Sequence, residues 1–308
     1  MSESNGAADA QLLYFPDSER LAAQLGTRLG IAGVAVALHR FPDGESRLRL
    51  PARCAAHTIV CRSLDQPNEK LVELMLAAQT ARDHGAARLT LIAPYLCYMR
   101  QDAQFAAGEA VSQRIVGRFL SSLFDAVITV DPHLHRISRL EEAVPGIRCI
   151  VVAAAAAIAR HLRRHAAGAL LVGPDDESRQ WVAAVAEQGG FDYLVADKQR
   201  HGDREVTVTL PPGDLRGRAV VLVDDIVSSG QTLARAAAMC REAGAAAVDA
   251  VVTHALCPLA IVQMLREAGV ARLWSTDTVP HPTNAIAAAP LIAEGLRALH
   301  APGAPALG

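Results

Sequence analysis

Residues 220–232, VVLVDDIVSSGQT, decide how the chain is read. Ala219, Val220, Val221, Leu222 and Val223 make a short apolar run, mostly β-branched and bounded by acids, which predicts a buried strand. Asp224 and Asp225 come next, so the strand delivers two carboxylates to its C-terminal edge. Ser228, Ser229, Gly230, Gln231 and Thr232 follow as small donors around a glycine, and residues 233–242 predict an alanine-rich helix that Gly244 ends. Backbone N–H groups at such a loop and helix start converge on one spot and suit a phosphate. The two acids suit ribose hydroxyls or a metal ion, or else cap the next helix.

On either side of this block strands and helices alternate, the pattern of an α/β chain. Towards the N-terminus the expected strands are 12–15, 34–38, 58–62, 89–93 and 126–130, with helices over 18–29, 68–84 and 111–123. Ser18 is placed as a helix N-cap, and Leu71, Leu74, Met75 and Ala78 as an apolar stripe facing the core. The pattern restarts near 145–152. Helices over 153–164 and 179–188 alternate with strands 169–172 and 193–196, followed by a basic loop at 198–204 and a strand through Val206, Val208 and Leu210. Beyond the central block come strand 248–254, helix 259–268, strand 273–275 and a helix at 291–300. The second half therefore repeats the architecture of the first. The expected division is a disordered 1–10, domains 11–147 and 148–290, and a C-terminal helix with a frayed tail over 291–308.

Three strand edges in the first half and its boundary carry polar loops. These are the turn Phe41-Pro42-Asp43-Gly44-Glu45, the segment 94–102 containing Arg100, Gln101 and Asp102, and Asp131-Pro132-His133. Open α/β sheets bind ligands outside the carboxyl edges of their strands. Composition narrows the classes further. The 308 residues suit one large or two ordinary domains, and a net charge of −2 offers no footprint for nucleic acid. Six cysteines lack close metal-ligand spacing and read as reduced thiols of a cytoplasmic protein. No stretch has the length and freedom from charge needed to span a bilayer, and no secretory leader opens the chain.

The central block resembles the phosphoribosyl-diphosphate (PRPP) binding motif. With five further blocks in order, 41–45, 94–102 with Gly108-Glu109, 130–133, 173–175 and 197–200, the chain resembles the ribose-phosphate diphosphokinase family, in a divergent form. The resemblance implies two phosphoribosyltransferase-like domains, each with a mainly parallel central sheet flanked by helices. It implies transfer of the diphosphoryl group of ATP to the C1 hydroxyl of ribose 5-phosphate, giving PRPP and AMP. Lys198 and Arg200 match the catalytic loop; His133 and Asp175 match the Mg²⁺ positions. Phe41, Asp43, Gly44 and Glu45 match an adenine loop shared across a subunit interface, which makes the enzyme a homo-oligomer. Arg100, Gln101 and Asp102 match the ATP-phosphate loop, and Asp224, Asp225, Ser228, Ser229, Gly230, Gln231 and Thr232 the ribose 5-phosphate site. Departures from the family pattern are Ala103-Gln104, Glu177-Ser178, Trp181, Ser228 and Gln231. Two alternatives stay open: a transferase that acts on another sugar phosphate or consumes PRPP, and a non-catalytic regulatory homologue.

Overall fold

The computed structural model describes residues 10–134, 136–201, 205–209 and 215–300, and for 197–201 and 205–209 the backbone alone. It divides into two compact units, residues 1–152 with 288–308, and 153–287. In unit 1 the chain runs β1 (Ala10–Tyr14), α1 (Glu19–Leu29), β2 (Gly33–Ala35), β3 (Ala37–Arg40), β4 (Ser46–Arg49), β5 (His57–Cys61), α2 (Pro67–Asp83), β6 (Arg88–Ile92), α3 (Ser112–Leu123), β7 (Ala126–Val130) and β8 (Arg148–Val152). Unit 2 holds α4 (Ala155–His165), β9 (Leu170–Gly173), α5 (Arg179–Gly189), β10 (Tyr193–Val195), β11 (Asp197–His201), β12 (Glu205–Thr209), β13 (Ala219–Val227), α6 (Gln231–Glu242), β14 (Ala247–Ala255), α7 (Leu259–Glu267), β15 (Val270–Thr276) and β16 (Asn284–Ile286). The last helix, α8 (Ala289–His300), returns to unit 1.

The two sheets share one plan. Unit 1 has the order β2-β1-β5-β6-β7-β8 and unit 2 the order β10-β9-β13-β14-β15-β16, and the pairings within each are parallel. Each plan sets aside an antiparallel hairpin between its second and third sheet strands in chain order, β3–β4 in unit 1 and β11–β12 in unit 2. The order reverses once per sheet, at β1/β5 and at β9/β13. Such a switch point opens a crevice at the carboxyl edge, because the connections on its two sides leave in opposite directions.

Helices cover both faces, which is why the strands read as continuous apolar runs. In unit 1 Leu13, Val60, Leu74, Ala78, Leu91, Leu120 and Val127 belong to one fully buried cluster beneath α2 and α3. On the other face α8 lies beside α1 and over β7 and β8. Gly295 permits that approach, since a Cβ there would stand 2.8 Å from Val152 Cγ1. Arg148 donates to the carbonyls of Leu299 and Ala298 at the end of α8, satisfying acceptors that a helix C-terminus leaves over. Among the described residues no helix is long and apolar enough to cross a membrane. All six cysteines are free thiols, five of them buried.

Several local expectations change. The expected strand 34–38 splits into β2, which joins the main sheet, and β3, which leaves it to pair with β4. Ser18 precedes α1 but makes no capping bond; its hydroxyl donates to Asp17 and accepts from the Ser63 N–H. In the α2 stripe Leu74 and Ala78 are buried, whereas Met75 is exposed with its neighbours Val72 and Leu76. The basic loop at 198–204 proves to be the hairpin β11–β12, except for 202–204, which lie outside the described residues along with Leu210. Helix α6 starts at Gln231, so Gln231 and Thr232 belong to its first turn and not to a loop.

Candidate functional site

In unit 2 the central strand is four residues longer than its apolar run. β13 continues to Val227 because β14 keeps pairing with it, through Asp224↔Val252, Ile226↔His254 and Val227↔Ala255. On its other side the last pair with β9 is Leu222↔Val172. Asp224 thus sits inside a strand but just past the point where one neighbour has left. Asp225 is buried and Asp224 half-buried, and the Asp225 N–H donates to Asp224 Oδ1 at 3.0 Å.

Asp175 approaches the same crevice from the end of β9. It caps the 3₁₀ turn at Asp176–Ser178: its Oδ1 accepts from the Ser178 N–H at 3.1 Å, while the Ser178 hydroxyl donates back to the Asp175 carbonyl. Burial, then the negative charges of Asp225 and Asp175, push the Asp224 carboxyl well above the usual carboxylate range. Among the described residues no cation lies within ion-pair distance of Asp224.

The phosphate-loop residues stand beside it. Ser228, Ser229, Gln231 and Thr232 are exposed, and Gly230 is buried at φ +72° as the N-cap of α6. Only glycine fits there: a Cβ would lie 2.6 Å from Ile261 and 2.8 Å from Met264 on α7, and the left-handed backbone adds strain for any other residue. Gly230 therefore lets the loop press onto α7, and the first turn of α6 has backbone N–H groups without intrahelical acceptors. Lys198 and Arg200 lie on β11 opposite Val208 and Val206; their side chains are outside the described part of the structure.

In unit 1 the residues read as nucleotide-binding occupy two places. Phe41, Asp43, Gly44 and Glu45 form the exposed tip of the β3–β4 hairpin. The Phe41 N–H donates to the Glu45 carbonyl at 2.8 Å, the Gly44 N–H to the Phe41 carbonyl at 2.9 Å, and the Glu45 N–H to Asp43 Oδ1 at 3.1 Å. His39 meets the Phe41 ring edge-on at 4.8 Å, with the Arg47 guanidinium 5.8 Å from the same ring.

The second place is the loop after β6. Arg100 is exposed and Gln101 half-buried; Glu109 Oε2 accepts from the N–H groups of Phe105 and Ala106 and from the Gln101 amide, folding the loop back on itself. Asp102 is buried and paired with Arg136, whose guanidinium also faces the Phe105 ring at 5.2 Å. That side chain is engaged in holding the loop. His133 is half-buried beyond Asp131, which takes a left-handed φ of +36°, a strained choice for a non-glycine residue at the edge of β7. His135 lies outside the described residues.

Sequence reasoning missed the buried ion network of unit 1. Arg62, immediately after β5, has its side chain only 1% exposed and meets Glu73 Oε2 at 2.5 Å and Asp17 Oδ2 at 3.3 Å, with its guanidinium 3.9 Å from the Phe15 ring. Lys70 joins through Asp17 and Asp65. The available signal was a charged pair, Lys70 and Glu73, on the helical face that carries Leu74 and Ala78. A carboxylate there must have a buried partner.

Among the described residues no cluster of three metal-ligating side chains forms. The donor set nevertheless fits a hard divalent cation, since Asp175 and Asp224 offer carboxylate oxygens whose mutual repulsion a cation would relieve.

A family model described as the N-terminal domain of ribose phosphate pyrophosphokinase matches residues 10–123, and one for the phosphoribosyl transferase domain matches 147–258. The chain is 36% identical over 292 residues to a ribose-phosphate pyrophosphokinase of Methanopyrus kandleri, covering 94% of this chain and 99% of that protein. It is 32% identical over 255 residues to one from Thermococcus kodakarensis, covering 83% and 89%. A crystal structure of phosphoribosylpyrophosphate synthetase from Mycobacterium smegmatis superposes with a TM-score of 0.82 at 26% identity, over 95% of this chain and 99% of that one.

Proposed function

The chain belongs to the ribose-phosphate pyrophosphokinase family, and we propose that it transfers the diphosphoryl group of ATP to the C1 hydroxyl of ribose 5-phosphate. The products are PRPP and AMP. The observation that carries the reading is the unit 2 crevice, where the first turn of α6 stands close to three carboxylates, one of which, Asp224, is pushed well above the usual range by burial and by Asp225 and Asp175. The α6 loop, Ser228 to Thr232, takes the 5-phosphate through backbone N–H groups and hydroxyls. Asp224 and Asp225 accept from the ring hydroxyls, which fixes the C1 hydroxyl in place for attack on the β-phosphate.

The ATP side is assigned to unit 1. Phe41 stacks on the base, and Asp43 and Glu45 accept from the exocyclic amine and the nucleoside hydroxyls. Arg100 and Gln101 donate to the phosphates, with arginine suited to a bidentate contact. Lys198 and Arg200, two residues apart on β11, are assigned to neutralising the charge that spreads over the transferring group. Asp175 and His133 are assigned to Mg²⁺: the Asp175 carboxylate would hold the ion directly, and His133 would act through its water, since imidazole is a poor magnesium ligand. When bound, Mg²⁺ supplies positive charge to the phosphate oxygens.

A homo-oligomer belongs to the same proposal, with the exposed hairpin tip completing a neighbouring subunit's site. Val72, Met75 and Leu76 on α2 and Ile115 on α3 are exposed apolar side chains available for that association. A cytoplasmic location fits the free thiols.

The test is formation of PRPP and AMP from ATP, Mg²⁺ and ribose 5-phosphate by the wild type and by Lys198→Ala. The wild type is expected to give the two products in equal amounts. The variant should lose about 100-fold or more in kcat with little change in ribose 5-phosphate affinity, as expected for a cation acting mainly on the transition state. No product from the wild type defeats the proposal; an intact kcat with a raised KM defeats the role of Lys198.

A further inference from the structure

The tip of the β3–β4 hairpin is exposed, yet its base is fixed to one buried carboxylate. Arg40 and Ser46 are the last paired residues before the turn, directly opposite each other. Both donate to the same oxygen, Glu73 Oε1, Arg40 through Nε at 3.0 Å and Ser46 through its hydroxyl at 2.8 Å. The other oxygen of Glu73 faces the buried Arg62, which stacks on Phe15 and meets Asp17. The Arg62 N–H in turn donates to the Ile92 carbonyl, so this arginine extends the main sheet. A continuous polar chain thus runs from the sheet through Arg62 and Glu73 to both strands of the hairpin.

Two features make this more than surface decoration. Glu73 is fully buried, and a buried carboxylate keeps its charge only with a counter-charge and hydrogen-bond donors around it. Burial alone would raise its pKa, but hydrogen bonds from Arg40, Ser46 and Arg62 outweigh it and hold the group below the ordinary range. The turn above is closed by its own three hydrogen bonds and moves with its base. Fixing Arg40 and Ser46 therefore fixes where Phe41, Asp43 and Glu45 stand.

We propose that Glu73 is a positioning residue for nucleotide binding, clamping both strands of the Phe41–Glu45 hairpin to the sheet through Arg62. The inference rests on the reading that this hairpin holds the nucleotide. Leu38 and Leu48 also pack the hairpin on the core, and apolar packing alone is the competing account.

The experiment uses the full chain with Arg40→Gln and Ser46→Ala combined, which leaves the buried Glu73–Arg62 pair in place and so avoids unfolding the core. Amide hydrogen exchange in residues 41–45 of the nucleotide-free protein should accelerate about tenfold, the scale of losing charge-assisted hydrogen bonds that are partly exposed. The KM for ATP should rise about tenfold while the KM for ribose 5-phosphate stays within about twofold, the split expected when ground-state positioning of one substrate is lost. Arg40→Lys with Ser46→Thr, which keeps a cation and a hydroxyl, should restore much of both. Unchanged exchange at the hairpin overturns the proposal in favour of apolar packing, as does an equal rise of both KM values. If the wild type makes no PRPP, the assigned reaction fails, while the exchange rates still judge the clamp.

Discussion

The two switch points, built on the same strand order, are filled in opposite ways. At β1/β5 in unit 1 the crevice is closed by protein: Arg62 and Lys70 meet Asp17, Asp65 and Glu73, and Phe15 covers the guanidinium. At β9/β13 in unit 2 Asp175, Asp224 and Asp225 crowd together, and Asp224 has no cation among the described residues. The consequence shows in the carboxyl groups themselves. Glu73 is held below the ordinary range although it is fully buried, whereas Asp224 is pushed well above it. One crevice is finished by folding. The other concentrates negative charge, which a bound cation would relieve.

That contrast is most exposed to failure at Arg62. Arg62→Ala leaves Glu73 in the core without its main buried counter-charge and should cost about 3–5 kcal/mol of unfolding free energy in urea titration. A cost below about 1 kcal/mol, the scale of a surface pair, would mean that the network does not close the unit 1 crevice. Asp224→Asn is the matching change in unit 2. It should lower kcat/KM for ribose 5-phosphate about 100-fold, or about 2.7 kcal/mol, while leaving unfolding free energy unchanged or raised, because it relieves like-charge crowding. If this variant instead unfolds like Arg62→Ala, the two crevices are not different in kind.

The smallest effect concerns a group that unit 1 keeps neutral. His57 on β5 contacts the Thr90 hydroxyl at 3.0 Å and the ring of His300 on α8 at 4.8 Å, with Arg88 and Asp125 nearby. Burial, then His300 and Arg88, lower its pKa from 6.5 to about 4, against a smaller opposing pull from Asp125; His300 is lowered by its own burial and by Arg88 and Arg148. As pH falls the unfolded chain takes up the proton first. The stability contributed is therefore complete above about 6.5 and is lost as pH falls towards about 4. His57→Gln should flatten the decline of unfolding free energy between those values. An unchanged slope would assign the acid sensitivity to other groups.

Much of this architecture is legible in the residue pattern. Apolar β-branched runs and helical stripes give the alternation, the restart near 145–152 gives the repeat, and the acid pair with its small-residue loop marks the passage from β13 to α6. The hairpins β3–β4 and β11–β12 were harder to see. The alternation of Val206 and Val208 marks β12, but β4 and β11 are short and dominated by polar residues such as Arg47, Arg49, Lys198 and Arg200, so periodicity alone does not mark them. The length of β13 was hidden for a related reason: its last residues pair on one side only, and that depends on where β9 ends.

By itself the sequence determined most of the sheet strands and helices and how they repeat, because local periodicity and turn chemistry are written in neighbouring residues. Tertiary structure alone decided that Arg62, Glu73, Arg40 and Ser46 meet, that α8 belongs with unit 1, and that equivalent crevices hold opposite electrostatic states. The pairs involved lie far apart in sequence, and a charge's partner and solvation are set by what the fold brings around it.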